Sequence, residues 1–233
     1  MKYSEFERIL SADRMNRYLL ACANDSRKAM TLYRYNLKLS QEMFTVISCF
    51  EVALRNAINN NLSPRLGANW LRDSILVGGI FTHPKLSKTA NVISHSYNTL
   101  LSQGQYTPSK LLADMEFGMW KYMFSPLQYR LTGQTLLQIF PNKQRSTSTL
   151  QINNAYIFNE LDKVNTIRNR IAHHEPICFG LSGSQIDTTY IMNKYLQIQT
   201  LFAWMNIDSR ALLYGLDHVQ QVCHRINELK QSP

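Results

Sequence analysis

The sequence predicts an all-α fold, on three observations. Apolar residues recur at three- and four-residue steps through long stretches, the period of one helix face. Only nine glycines and seven prolines punctuate 233 residues, too few for a turn-rich β architecture. Nothing alternates at period two, the mark of a half-buried strand.

The helical period runs first through about 12–23, 26–38 and 41–62, with Asn24, Asp25 and Ser40 placed to cap or interrupt it. Residues 63–84 carry Pro64, Gly67, Gly78 and Gly79, so this span reads as the longest loop or insertion, with room for a lid or a surface excursion. Helix resumes over about 85–103 and 108–124, the second after TPSK, where Thr107 or Ser109 can cap a helix beginning at Pro108. Pro126 and Pro141 bracket a shorter helix. A long helix is predicted from about 148 to the vicinity of His174, because Glu175 precedes Pro176 and is steered out of helical geometry. Residues 180–184 make a turn. Two further helices, about 185–205 and 209–230, close the fold, Asp208 or Ser209 capping the second. No repeat, low-complexity tract or linker divides the chain, so residues 1–233 read as a single, mostly α-helical domain.

Hydrophobic residues at 45% and charged residues at 18% exclude a disordered, collagen-like or coiled-coil chain. A formal charge of +9 attracts polyanions. The start MKYSEFERIL lacks the basic and apolar regions of a secretory signal, and no apolar run approaches the roughly 18 residues of a membrane span, so a cytoplasmic chain without a membrane partner is expected. Cys22, Cys49, Cys178 and Cys223 lie far apart with no C-x-x-C pair, which argues for buried thiols over a zinc knuckle or disulfide framework.

The chemistry concentrates in RNRIAHHEP, residues 168–176. On a helical wheel of about 100° per residue, Ile157, Leu161, Val164, Ile167 and Ile171 form one stripe, and Arg168 falls inside it. An arginine there pairs with a buried acid, snorkels to an edge, or points into a cleft or subunit interface. His173 follows near the helix end, where an imidazole suits acid/base chemistry near neutral pH. The adjacent His174 points elsewhere on a helix, and no carboxylate or cysteine cluster accompanies the two, so no metal site is expected. In EVALRNAI, Glu51 shares a face with Phe44, Ile47, Leu54, Ile58 and Leu62. Its partner is Arg55 on the same helix or Arg168 across the bundle; the alternative is an ion pair of purely structural purpose. Between Glu116 and Glu160 there is no acid, while Lys121, Arg130, Lys143 and Arg145 alternate with Trp120, Tyr122, Tyr129 and Phe140. Basic side chains there can meet phosphates, although most of these aromatics belong to a core.

RNRIAH resembles the signature of HEPN ribonucleases: an arginine, often followed by a polar residue, then a histidine after four to six intervening positions. With LSADRMNRYLLAC, LYRYNLKLS, EVALRNAI and MEFGMWKYM in the same order, the chain resembles the Abi-like (AbiD/AbiF-type) abortive-infection proteins over residues about 5–180. The resemblance implies a HEPN-like helical bundle with additional flanking helices. It also implies a metal-independent endoribonuclease toxin of anti-phage defence, with Arg168, Asn169 and His173 as catalytic residues; the residues themselves add Glu51, Arg55 and His174 as supports. The acid-free stretch gives Lys121, Arg130, Lys143 and Arg145 as the RNA-binding residues. No cofactor is implied. The implied partners are RNA, a second copy sharing one active-site cleft, and an antitoxin, protein or small RNA. The rival reading is a non-catalytic RNA-binding or regulatory HEPN protein.

Overall fold

One helix of 41 residues, Ser26–Leu66, runs about 60 Å in the first third of the sequence. It appears in a computed structural model that describes residues 1–180 and 183–231. Among the described residues the chain forms twelve α-helices and no sheet, as its apolar period predicts. They are α1 (Tyr3–Leu10), α2 (Ala12–Ala21), α3 (Ser26–Leu66), α4 (Trp70–Asp73), α5 (Ser87–Ser102), α6 (Pro108–Ala113), α7 (Phe117–Tyr122), α8 (Pro126–Leu131), α9 (Asn154–Ala172), α10 (Thr189–Trp204), α11 (Ser209–Leu212) and α12 (Val219–Gln231).

The two helices predicted on either side of Ser40 are one. Asp25 Oδ1 accepts the backbone N–H groups of Arg27 and Lys28 and caps the start of α3. From there to Ser63 the chain has no proline or glycine, and a mid-helix serine costs less than about 0.7 kcal/mol. Leu39, Met43, Val46, Ile47, Phe50, Leu54, Ile58 and Leu62 are all fully buried, so the apolar stripe continues past the serine. Phe44, predicted on that stripe, is 45% exposed at its edge.

The predicted loop at 63–84 takes in the end of α3 and the short α4, and is anchored by a few buried residues. Pro64 lies inside the last turn of α3, which ends on Gly67 at φ +89°, with its N–H bonded to the Ser63 carbonyl. Trp70, Leu71 and Phe81 are buried, and Trp70 Nε1 donates to Asn59 Oδ1 at 3.0 Å. Gly79 lies so close to the backbone of Asp73 and Ser74 that a Cβ there would sit 2.3 Å from the Asp73 carbonyl oxygen. Between these anchored residues, Leu76 and Val77 are exposed.

Three other boundaries differ from the sequence reading. Residues 108–124 form two helices, α6 and α7, with Met115 buried between them: packing overrides a helical pattern that contains no local breaker. The closing helix is likewise divided, because Gly215 at φ +73° stops the chain after α11. Helix α9 starts at Asn154 rather than near 148, with Asn153 Oδ1 accepting the N–H of Tyr156. The expected caps Thr107 and Asp208 both accept backbone N–H groups. The turn expected at 180–184 includes Leu181 and Ser182, which lie outside the described residues.

The chain divides into two compact units. One comprises Met1–Ser48, Thr166–Thr200 and the residues from Asp208 on; the other comprises Cys49–Asn165 and Leu201–Ile207. The first has a core that includes Met15, Tyr18, Leu32, Met43, Ile177, Phe179, Ile191 and Ile226. Within it, the buried Glu42 of α3 binds Lys38 Nζ at 2.8 Å and the backbone N–H of His218, ahead of α12, at 3.0 Å. The second is built around Phe50, Phe81, Phe117, Trp120, Phe124, Phe140 and Phe202, all fully buried. Among the described residues no helix is long and apolar enough to cross a membrane.

Candidate functional site

Helix α9 ends through hydrogen bonds that single out each residue of its last turn. The Glu175 N–H bonds the Arg170 carbonyl at 2.8 Å and the His174 N–H bonds the Ile171 carbonyl at 3.0 Å, the pairing of a Schellman terminus. His174 takes the left-handed position at φ +57°, usually left to glycine, and His173 is the cap residue before it. Pro176 then prevents the helix from continuing. Both histidines are exposed, and among the described residues the His173 imidazole is unengaged.

The two arginines of RNRIAH have divided roles. Arg170 is committed to structure: its Nε donates to Glu175 at 3.1 Å, another guanidinium nitrogen to the Pro176 carbonyl at 2.9 Å, and its head lies over the Tyr190 ring. Arg168, about 200° away on the wheel, falls between Leu161 and Ile157 on a stripe where Ile157, Leu161, Val164, Ile167 and Ile171 are all buried, as predicted. It is half-buried. Its Nε is buried with no hydrogen-bond partner, and one terminal nitrogen only reaches Asn169 Oδ1 at 3.5 Å, the outer limit of a hydrogen bond. A buried donor left unmade is costly, which sets Arg168 apart from the engaged Arg170. Asn169 is exposed beside it.

The segment after α9 is fixed by residues that the sequence reading passed over. Arg14 of α2 donates to the His174 carbonyl at 2.9 Å. Asn36 of α3, 4% exposed, accepts the N–H groups of both Ile177 and Cys178 through Oδ1, at 2.8 and 3.2 Å. Phe179 packs on Tyr18, which packs edge-on against Tyr33, while the Arg17 guanidinium sits 4.4 Å above the Phe179 ring. Burial pushes the Cys178 thiol up to about 12 and leaves it protonated and inert. His173 is therefore an exposed imidazole beside an anchored segment. Arg14 and Asn36 lie inside LSADRMNRYLLAC and LYRYNLKLS, which was the signal available for them.

The remaining predicted residues belong to the second unit. Glu51 and Arg55, both half-buried on α3, belong to the second unit, whereas Arg168 belongs to the first. Lys121 corrects the expected RNA-facing set: it is 6% exposed, its ammonium bonds Asp162 at 2.7 Å, and it lies over the Tyr122 ring. A cation so enclosed has no access to a phosphate. Trp120, Tyr129 and Phe140 are buried as core, whereas Arg130 and Arg145 are exposed and Lys143 half-exposed. Cys22, Cys178 and Cys223 are free, buried thiols and Cys49 a free, half-buried one. Among the described residues no three His, Cys, Asp or Glu side chains converge as a metal ion would require.

The sequence matches the Abi-like protein family over residues 2–178, from α1 through the anchored segment after α9. The chain belongs to the Abi-like family. The match takes in Arg14, Asn36, Arg168 and His173, so both the Abi-like motif and its supports lie inside it; α10 to α12 lie beyond. Comparison with curated proteins and with solved structures returned no match.

Proposed function

We propose that this Abi-like chain is a metal-independent endoribonuclease of the HEPN type that acts in abortive infection. One observation carries the reading: of the two arginines in RNRIAH, Arg170 is fully engaged while Arg168 keeps a buried, unpartnered Nε, on the helix that ends in the exposed, unengaged His173. A phosphodiester supplies what both lack, an anion for the guanidinium and a proton to transfer for the imidazole.

In the proposed reaction His173 takes the proton of a ribose 2′-hydroxyl, whose oxygen attacks the adjacent phosphorus. The bond to the 5′-oxygen breaks, and that oxygen leaves with a proton from an imidazolium. The products are a 2′,3′-cyclic phosphate and a 5′-hydroxyl. Arg168 holds the phosphate and offsets charge gathering on its oxygens, with Asn169 orienting it. Arg168 and His173 lie about 140° apart and about 7.5 Å along the helix, which favours a site completed by a second copy whose own His173 serves as the acid. Because such an activity harms its own cell, restraint by an antitoxin, protein or small RNA, belongs to the same reading.

The test is incubation of the purified chain with total RNA in EDTA, beside His173→Ala. Cleavage by the native chain alone is expected. RNA binding without cleavage would instead favour a regulatory protein, and equal cleavage by both would remove His173 from the reaction.

A further inference from the structure

The second unit holds a cleft of about 230 Å³ lined by His83, Lys85, Pro126, Leu127 and Arg130. One wall comes from the entrance to α5, the other from α8. The buried side chain of Gln128 ties the walls together, donating to Thr89 Oγ1 of α5 at 3.1 Å while its carbonyl oxygen meets the Ser125 hydroxyl. The cleft is thus preformed.

Its lining carries basic side chains and no carboxylate. The wall segments come from stretches, residues 74–113 and 117–159, that contain no aspartate or glutamate at all. Lys85 and Arg130 are exposed and make no ion pair with a carboxylate among the described residues. His83 Nδ1 accepts the backbone N–H of Lys85 at 3.1 Å, which puts the proton of the neutral ring on Nε2 as a donor. Pro126 and Leu127 add an apolar surface between the cations. At this volume the cleft falls below the roughly 300 Å³ where pockets that enclose whole small molecules begin, so it suits one phosphate held inside with part of the adjoining nucleoside against its apolar wall.

We propose that this cleft is an exosite for a single nucleotide of an RNA strand, with Lys85 and Arg130 on the phosphate, His83 as a further donor, and the base against Pro126 and Leu127. The identity of the ligand rests on the ribonuclease reading; the anion-binding character of the cleft does not. The exosite would hold substrate that the motif on α9 cleaves, so binding and cleavage are separable.

The test measures binding of a short fluorescent single-stranded RNA by anisotropy across a salt series, with His173→Ala as parent so that the RNA stays intact. Adding Lys85→Ala and Arg130→Ala is expected to raise the Kd at least about tenfold, and to lower the slope of log Kd against log salt by about 1.4, roughly 0.7 for each lost cation. The melting temperature should not move, because both side chains are exposed and unpaired. An unchanged Kd and slope would overturn the exosite, as would a parent that binds no RNA. The two readings fail separately. If the native chain cuts RNA but binding ignores Lys85 and Arg130, the exosite alone falls; if binding depends on them but nothing is cut, the exosite stands without the ribonuclease.

Discussion

The Arg14 guanidinium donates a 2.9 Å hydrogen bond to the backbone carbonyl of His174, across 160 residues of sequence. It pins the residue that follows His173, and so helps set where the imidazole points. Arg14→Ala is expected to slow RNA cleavage while changing stability by no more than about 1 kcal/mol, since the contact is exposed. Arg14→Lys, which keeps one donor, should recover part of the rate. Cleavage assays beside urea unfolding check both.

Asn36 anchors the same segment from the inside. Asn36→Leu leaves the buried N–H groups of Ile177 and Cys178 without an acceptor, at about 1–3 kcal/mol for each group. Unfolding in urea should show a loss of about 2–6 kcal/mol, and a loss below about 1 kcal/mol would mean that the segment finds other partners.

Glu42 makes stability depend on pH. Burial pushes its carboxyl up, but Lys38 and the backbone N–H and ring of His218 outweigh that and hold it below the ordinary glutamate value. A depressed folded-state value gives stability that is present above the unfolded value, about 4.3, and is lost as pH falls through the folded one. Glu42→Gln should therefore be less stable than the native chain at pH 7, with the gap closing below about pH 4. Thermal melts of both proteins across that range measure it.

Gly79→Ala tests the segment at 67–81. A Cβ 2.3 Å from the Asp73 carbonyl oxygen and 2.5 Å from that of Ser74 forces the backbone apart. Overpacking of this kind costs about 1–3 kcal/mol. Gly78→Ala, where a Cβ meets no neighbour but φ is +81°, should cost only the strain of a left-handed alanine.

Much of this was legible in the sequence because it is periodic or local. The stripe from Ile157 to Ile171 and the placing of Arg168 upon it follow from spacing alone, and Pro176 announces the end of α9. Ser40 misled because serine fits a cap and a helix interior equally well; only the surrounding burial decides. Lys121 misled because its partner, Asp162, lies 41 residues away and no local pattern announces the pair. The contact between Asn36 and Ile177 spans 141 residues and is invisible for the same reason. The motif was readable, whereas its supports arise only when the chain folds.

The most direct measurement is the single-turnover rate of cleavage of one defined RNA in EDTA, with the ends of the products identified, for the native chain, His173→Ala and Arg168→Ala. The expected result is a 2′,3′-cyclic phosphate end from the native chain and a loss of about 10²–10⁴-fold in the His173→Ala variant, with Arg168→Ala also strongly reduced. A His173→Ala variant that cleaves at the native rate, or native products that end in a 3′-hydroxyl, would contradict the account.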